Sequence, residues 1–407
     1  MRELIFYVHV PFCSSKCHFC SWVSPIPTTD LVKSRARFGE YAAAVRSEIA
    51  TTRRQFGDAD IKAKLLYFGG GTPSLLAPED LVSIRSAILA NFPASAGFVD
   101  TTLEMSPDTA TPEKLRILRQ GGFDRLSFGV QSFNTERAKT LGRAHTPAMA
   151  IDAFKMARDA GFENINIDLM VGFPDETEEE YTESVATALD LAPDHLSVYI
   201  YKKVEGTVLA RQIDTGKRTP CPLPEAVKRY EVAAQMMKDA GYDEYMFQLF
   251  GRDGKRCNID YHYFNLDYDY VGFGQGAHSL LNGATYAHAQ TLEEYLRKPA
   301  PNQVERIADA ESKLETKVFE MLHTDGGIDF NRFEASTRMT FPEAVQRYPR
   351  LQKALASVLE TTGAEQTEQA VRFVERAAKV NWLALPPHWS RDYQPGRNKT
   401  IPIAIAH

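Results

Sequence analysis

The sequence predicts an α/β fold: a partial (β/α)6 TIM-like barrel with a β extension and a small C-terminal domain of helical or winged type. Three observations lead there. Six β-like runs alternate with amphipathic stretches from Leu4 to Lys202, and such alternation argues for a parallel sheet with helices outside it. Six units rather than eight leave a barrel about three-quarters complete. The polar motifs of this region fall at the C-terminal ends of the runs, where barrels of this kind place their chemistry.

The runs are LIFYVHVP from Leu4, AKLLYFGG from Ala63, TTLEMS from Thr101, DRLSFGVQ from Asp124, NINIDLMVG from Asn164 and HLSVYIYK from His195. All are rich in β-branched and aromatic residues, which suit strands. Between them, EDLVSIRSAILANF keeps Leu81, Ile84, Ile88 and Leu89 on one helical face. TPEKLRILRQGGF begins with Thr111 as N-cap and Pro112 in the first turn, and ends in glycines. MAIDAFKMARDAGF ends at Gly161 in the same way. The expected organisation is a barrel over 1–205, an extension rich in Tyr and Phe over 206–305, a helical domain over 306–385 and a Pro-rich tail over 386–407.

Composition narrows the function classes. With 407 residues the chain buries a large core, and 43% hydrophobic with 25% charged residues is ordinary for a globular protein. A net charge of −6 gives no general attraction to nucleic acid, and no apolar run reaches the length of a membrane span. The first strand begins almost at once, leaving no room for a signal peptide, so a cytoplasmic location is expected. Cys221 and Cys257 stand alone and read as core or surface thiols.

Cys13, Cys17 and Cys20 stand in YVHVPFCSSKCHFCSW, spaced C-x3-C-x2-C. Three thiolates on one loop suit three irons of a cubane 4Fe–4S cluster, with the fourth iron open to a small molecule. Structural zinc prefers four ligands in paired spacings. His18 is an available fourth ligand, but between two cysteines it would strain the loop.

GGGTPS at Gly69–Ser74 follows the second run; glycines let backbone approach a ligand closely, and the Lys-Ser/Thr ending of a P-loop is missing. Glu104 ends the third run, Gln131 the fourth, Asp168 lies in the fifth, and Arg143 follows in LGRAH. At strand ends such residues converge on one cavity. That lining suits a ligand with an ammonium, a carboxylate and a ribose.

The cysteine spacing resembles that of the radical S-adenosylmethionine superfamily. Within it, YVHVPFCxxxCxFC, FGGGTPS, RLSFGVQSF, LGRAH, NIDLMVGFP, LSVYIY, EGT and GxGAHS resemble, in the same order, the oxygen-independent coproporphyrinogen III oxidase-like proteins over roughly residues 3–290. The resemblance implies a 4Fe–4S cluster on Cys13, Cys17 and Cys20, whose open iron chelates the amino and carboxyl groups of S-adenosylmethionine. It implies that Gly70, Gly71 and Thr72 receive the methionine amino group. Tyr7, Glu104, Gln131, Arg143 and Asp168 would hold this molecule, with backbone near Phe19 against adenine. A second S-adenosylmethionine is expected at Tyr199 and Lys202.

Three functions share this scaffold. Coproporphyrinogen decarboxylases resemble the chain but carry a further cysteine where CHFCSW has Trp22. Heme chaperones carry HNxxYW shortly before GxGAHS. Here the stretch reads CNIDYHYFNLDYDYVGFGQGAHS, with Ile259–Asp260 taken at the His-Asn positions, Tyr263–Phe264 as the aromatic pair and His262 nearby as a candidate ligand. The aromatic-rich stretch suits either a planar substrate or a packing seam. By elimination, the expected function is that of the class C methyltransferases and cyclopropanases. Two S-adenosylmethionine molecules would deliver a methylene group to an sp2 carbon of a small-molecule or carrier-borne substrate in natural-product biosynthesis. Tyr199, Tyr201 and Lys202 are the candidate acid–base residues, and flavodoxin or ferredoxin is the expected electron donor.

Overall fold

Apolar residues at every second position of the six runs dictate strands with one face against helices. The computed structural model describes residues 1–21, 31–264, 268–282, 284–288, 291–300, 303–307, 310–322, 327–362, 364–366 and 370–373. The expected tail over 386–407 lies outside the described residues. Strands β1 (Arg2–Val10), β2 (Ile61–Gly70), β3 (Thr101–Met105), β4 (Arg125–Gln131), β5 (Ile165–Val171) and β6 (His195–Ile200) pair in parallel, in sequence order. Helices α1 (Leu31–Gln55), α2 (Pro78–Asn91), α3 (Pro112–Gln120), α4 (Thr135–Thr140), α5 (Pro147–Asp159) and α6 (Glu178–Asp190) fill the intervals.

The strands separate two environments. Leu4, Phe6, Val8 and Val10 of β1, and Ile165, Ile167, Leu169 and Val171 of β5, face outward into the main core with Leu81, Ile84 and Ile88 of α2. Fully burying each such side chain contributes about 1.5–3 kcal/mol. Leu89 only packs against the edge of that core. The alternate positions Tyr7, Tyr67, Glu104, Ser127, Asp168 and Ser197 are therefore left for the barrel interior, and all are buried. Thr111, Thr146 and Thr177 cap α3, α5 and α6 through their side chains, each cap stabilising by about 1 kcal/mol.

Helices α7 (Val208–Asp214) and α8 (Leu223–Asp239) lead into β7 (Asp243–Met246) and β8 (Leu249–Gly251), which extend the sheet antiparallel beyond β6. Helix α9 (Asn258–Phe264) then returns the chain to the other edge. There β9 (Tyr270–Phe273) lies parallel to β1, followed by β10 (His278–Leu281), β11 (Ala284–Ala287), α10 (Leu292–Arg297) and β12 (Gln303–Ile307). The order β12-β11-β10-β9-β1-β2-β3-β4-β5-β6-β8-β7 is open, not a closed barrel. A separate apolar core joins α11 (Ala310–Met321), α12 (Phe330–Thr337), α13 (Phe341–Arg347) and α14 (Pro349–Thr362). Strands β13 (Ile328–Asp329), β14 (Ala364–Gln366) and β15 (Ala370–Phe373) form a small antiparallel sheet beside these helices. Among the described residues no helix is long and apolar enough to cross a membrane.

The GxGAHS turn locks β9 to β1. Buried Glu48 of α1 accepts from Gly274 N at 3.0 Å and Tyr295 Oη at 2.7 Å, and pairs with His288 Nε2. Nδ1 of His288 donates to Ala277 O at 2.8 Å, so both ring nitrogens carry protons. Burial opposes that charge, but the Glu48 carboxylate prevails and raises the His288 pKa. Gly274 sits at φ +99°, and a Cβ there would strike His9 O and the Tyr41 hydroxyl. Gly161 sits at φ +87° with open space around it. Gly161→Ala should therefore lower stability by about 1–2 kcal/mol, the left-handed penalty alone. Gly274→Ala should exceed about 3 kcal/mol, because backbone must also move. Urea unfolding measures both, and equal losses would contradict the packing assigned to the turn.

Candidate functional site

The loop after β1 carries the three cysteines and is held from several sides. Gly71 N donates to Val10 O at 2.8 Å and Thr72 N to Phe12 O at 2.6 Å. His18 N donates to Leu141 O at 2.9 Å, and its Nδ1 to Thr140 O at 2.7 Å. Ser15 Oγ donates to Gly142 O at 3.2 Å, and Leu209 N to His18 O at 2.8 Å. His18 is thus turned to the loop after α4 and does not line the cavity beside the cysteines.

That cavity measures about 790 Å³, counting space open to solvent, and lies at the C-terminal ends of the strands. Cys13, Cys17, Cys20, Phe19, Gly70, Gly71, Thr72, Glu104, Gln131, Arg143 and Asp168 all line it. Glu104 is fixed by Tyr67, whose hydroxyl donates to Oε1 at 2.8 Å, and by Gly70 N, which donates to Oε2 at 3.1 Å. A Cβ on Gly71 would come within 2.5 Å of Phe12 O and 2.9 Å of Cys13 Sγ. The glycines therefore let two loops meet, beyond offering amides to a ligand.

Gln131 is re-aimed by a bulge. Its φ of +71° breaks the β4–β5 register after Gly129, a device that redirects a side chain at a barrel rim. Its Oε1 is buried with no hydrogen-bond partner among the described residues, as is Nε of Arg143. Arg143 Nη1 donates to Cys17 Sγ at 2.9 Å, and Nη2 to Gly129 O. The neighbouring His145 is pushed down to about 4, by burial and then by the Arg143 charge. Asp168 Oδ1 accepts from Asn166 Nδ2 at 2.7 Å and Oδ2 from Ser127 Oγ at 3.3 Å.

The remaining candidates stand apart. Tyr7 is buried, its hydroxyl 3.1 Å from His9 Nδ1, and burial followed by Glu104 raises its pKa well above 10. Tyr199 is buried in the interior apolar cluster with Met170 and Phe173, and burial followed by Asp168 raises its pKa. Tyr201 rests on Phe173 with ring centroids 5.2 Å apart, and burial pushes its hydroxyl up to about 12. Lys202 is exposed. None of the four lines the cavity. Sequence reasoning missed Ser127 and Ser106, which do line it, and the supporting Tyr67, Asn166 and His9. The signal was present: Ser127, Tyr67 and Asn166 share the inward parity of the polar strand positions. His9 sits under Gly70, where a Cβ would meet its ring at 2.8 Å.

The donor set fits a cluster with a polar ligand. Three thiols face one cavity, and its wall keeps an unsatisfied acceptor on Gln131 and a donor on Arg143. Among the described residues no three His, Cys, Asp or Glu side chains converge on one metal ion. Each thiolate on a cubane binds a different iron, so a cluster needs no such convergence.

An open parallel barrel with three cysteines over its C-terminal rim defines a class, and comparison with known proteins agrees. A sequence model of the radical SAM superfamily matches residues 7–188. Heme chaperone HemW of Bacillus subtilis (strain 168) is 30% identical over 331 residues, covering 80% of this chain and 85% of that protein. HemW of Escherichia coli (strain K12) is 31% identical over 280 residues, covering 68% and 70%. The solved structure of coproporphyrinogen III oxidase HemN from Escherichia coli superposes with a TM-score of 0.77 at 23% identity, covering 94% of this chain and 89% of that one, which shows the shared fold. The chain belongs to the radical SAM superfamily, in its coproporphyrinogen III oxidase-like branch with HemW and HemN. Membership implies a 4Fe–4S cluster and S-adenosylmethionine.

These findings overturn the expected methyltransferase or cyclopropanase function. The relatives that match most of the chain are named heme chaperones, and the stretch before GxGAHS fits their motif better in another phase. Aligned on Asn258 and Tyr261, HNxxYW falls on CNIDYH, with Cys257 in place of its histidine and His262 in place of its tryptophan. This phase keeps both the Asn and the Tyr of the motif, whereas the Ile259–Asp260 placement keeps only the Tyr, at Tyr263.

After anaerobic reconstitution, Cys17→Ala should hold only background iron. Gly71→Ala should lose more than half, because its Cβ displaces the cysteine loop, and Cys221→Ala should keep the full amount. Iron and sulfide assays decide this; full iron in Cys17→Ala would contradict the site.

Proposed function

We propose that the chain is a heme chaperone, a protein that binds heme and passes it on, built on a radical SAM scaffold. The observation that carries this reading is the 30% identity to a heme chaperone across 85% of that protein's length. Cys13, Cys17 and Cys20 would hold the cluster. When reduced, the cluster supplies one electron to bound S-adenosylmethionine. The protein's own part is to orient. Glu104, fixed by Tyr67 and Gly70, presents a carboxylate to an ammonium, Arg143 offers a guanidinium to a carboxylate, and Asp168 accepts from ribose hydroxyls.

His262 is the proposed heme-iron ligand. It lies partly exposed on α9, with Tyr268 edge-on at 5.2 Å, and a neutral imidazole is a common iron ligand. Cys257, at the motif's histidine position, is only 4% exposed. Burial and then Asp260 push its thiol well above the usual value, which disfavours the thiolate that a metal ligand must supply. The reading needs one S-adenosylmethionine, and the second molecule expected at Tyr199 and Lys202 is not required by it. A flavodoxin or ferredoxin as electron donor and a cytoplasmic location are parts of the same proposal. Binding stoichiometry at equilibrium counts the cofactor.

Heme titration followed at the Soret band tests the ligand. His262→Ala should weaken heme binding about tenfold or more, and Cys257→Ser should leave it unchanged. The reverse pattern would move the ligand to Cys257, and unchanged binding in both would remove α9 from the heme site.

A further inference from the structure

We propose that Tyr245, His195 and Asn166 form a positioning relay that aims the Asp168 carboxylate into the cavity and ties that aim to the seating of α9. The sheet places the members side by side. Asn166 pairs with Ser127 on one side and His195 on the other, and Asp168 pairs with Ser197. Their inward parity stacks the side chains in the barrel, where His195, Asn166 and Tyr245 are each 3% exposed or less.

The hydrogen-bond directions are fixed by chemistry. Asn166 Nδ2 lies 2.7 Å from both Asp168 Oδ1 and Ser127 Oγ. A flipped amide would set its oxygen against the carboxylate, so the nitrogen belongs there. Asn166 Oδ1 then faces His195 Nδ1 at 2.6 Å and Ser197 Oγ at 3.2 Å. An amide oxygen only accepts, so His195 Nδ1 carries the proton. Burial, and then the Arg125 charge, keep His195 neutral. Its Nε2 is therefore an acceptor, and Tyr245 Oη, 2.7 Å away, must donate to it. The same phenol oxygen accepts from Cys257 N at 2.7 Å, at the residue directly before α9. The donors run in one direction: Cys257 N–H to Tyr245, Tyr245 to His195, His195 to Asn166, Asn166 to Asp168.

The consequence is mechanical. Asp168 keeps a lone pair toward the cavity only if Asn166 holds its amide this way round. Asn166 is held by a tautomer that Tyr245 selects, and Tyr245 is anchored by the backbone that leads into α9. A displacement of α9 would be felt at Asp168 without any contact between the two. The inference rests on reading Asp168 as an acceptor for ribose hydroxyls of S-adenosylmethionine, and Tyr245, His195 and Asn166 act on the ligand only through it.

The experiment uses the full chain, reconstituted anaerobically, and two probes: S-adenosylmethionine and its analogue lacking both ribose hydroxyls. Tyr245→Phe removes one hydroxyl and keeps the ring. It should weaken S-adenosylmethionine about tenfold and leave the affinity for the analogue unchanged. Equal loss for both probes would reduce Tyr245 to a packing role and overturn the relay, as would no loss for either. Failure of the unmodified chain to bind S-adenosylmethionine would instead overturn the site reading itself. If Tyr245→Phe does not fold, His195→Gln breaks the relay one link nearer Asp168 and must show the same selective loss, or the relay is wrong.

Discussion

Two short backbone hydrogen bonds, Gly71 N to Val10 O at 2.8 Å and Thr72 N to Phe12 O at 2.6 Å, bring the loop after β2 against the loop after β1. Both loops leave adjacent parallel strands, so a thiol-bearing segment and a glycine segment meet at one rim. Only residues without Cβ allow that approach, because any side chain at Gly71 would occupy the space of Phe12 O. Gly70 N, at the end of β2, then donates to Glu104 on β3, and Arg143 reaches Cys17 from beyond β4. Each contact presupposes the first.

The interior below this rim is unusually polar for a parallel sheet, whose strands are commonly apolar on both faces. Pairing offsets the cost at Asn166, Asp168 and His195. Arg125, 1% exposed, sits among Tyr67, Asp100, Tyr245 and Cys257. Burial works against its charge, Nε and Nη1 find no hydrogen-bond partner among the described residues, and the nearby Asp100 carboxylate is the neighbour that favours the cation. Asp100 in turn accepts from Asn258 of α9 at 2.7 Å. Buried polar groups in such a network specify one arrangement, because any misplacement leaves a group unpaired. Here the arrangement specified includes the seating of α9, the segment that carries His262.

Much of this was legible in the sequence. The six runs became six strands because their composition and their glycine and Thr-Pro boundaries agree with one another. The polar residues at run ends came together because parallel strands in sequential order put every C-terminal end at one rim. Other features were not legible. Helix α1 buries Phe38, Tyr41, Ala42, Val45 and Ile49, but charged residues between them mask the pattern. The parallel pairing of β9 with β1 joins segments far apart in the sequence, which no local pattern encodes. Tyr199 and Tyr201 share the inward parity of Ser197, yet parity does not give depth, and both pack on Phe173 or in its cluster instead of lining the cavity. The function is hard to read for a similar reason: the motif before GxGAHS keeps Asn258 and Tyr261 but changes both of its ends.

The central claim is a cluster and S-adenosylmethionine site serving heme handling, not methyl transfer. The most direct measurement adds heme and S-adenosylmethionine with a trideuterated methyl group to the reduced, reconstituted chain, then follows heme binding and weighs the nucleoside products. The account predicts stoichiometric heme binding, no deuterium in 5′-deoxyadenosine and no S-adenosylhomocysteine. Deuterated 5′-deoxyadenosine with S-adenosylhomocysteine, and no bound heme, would contradict it.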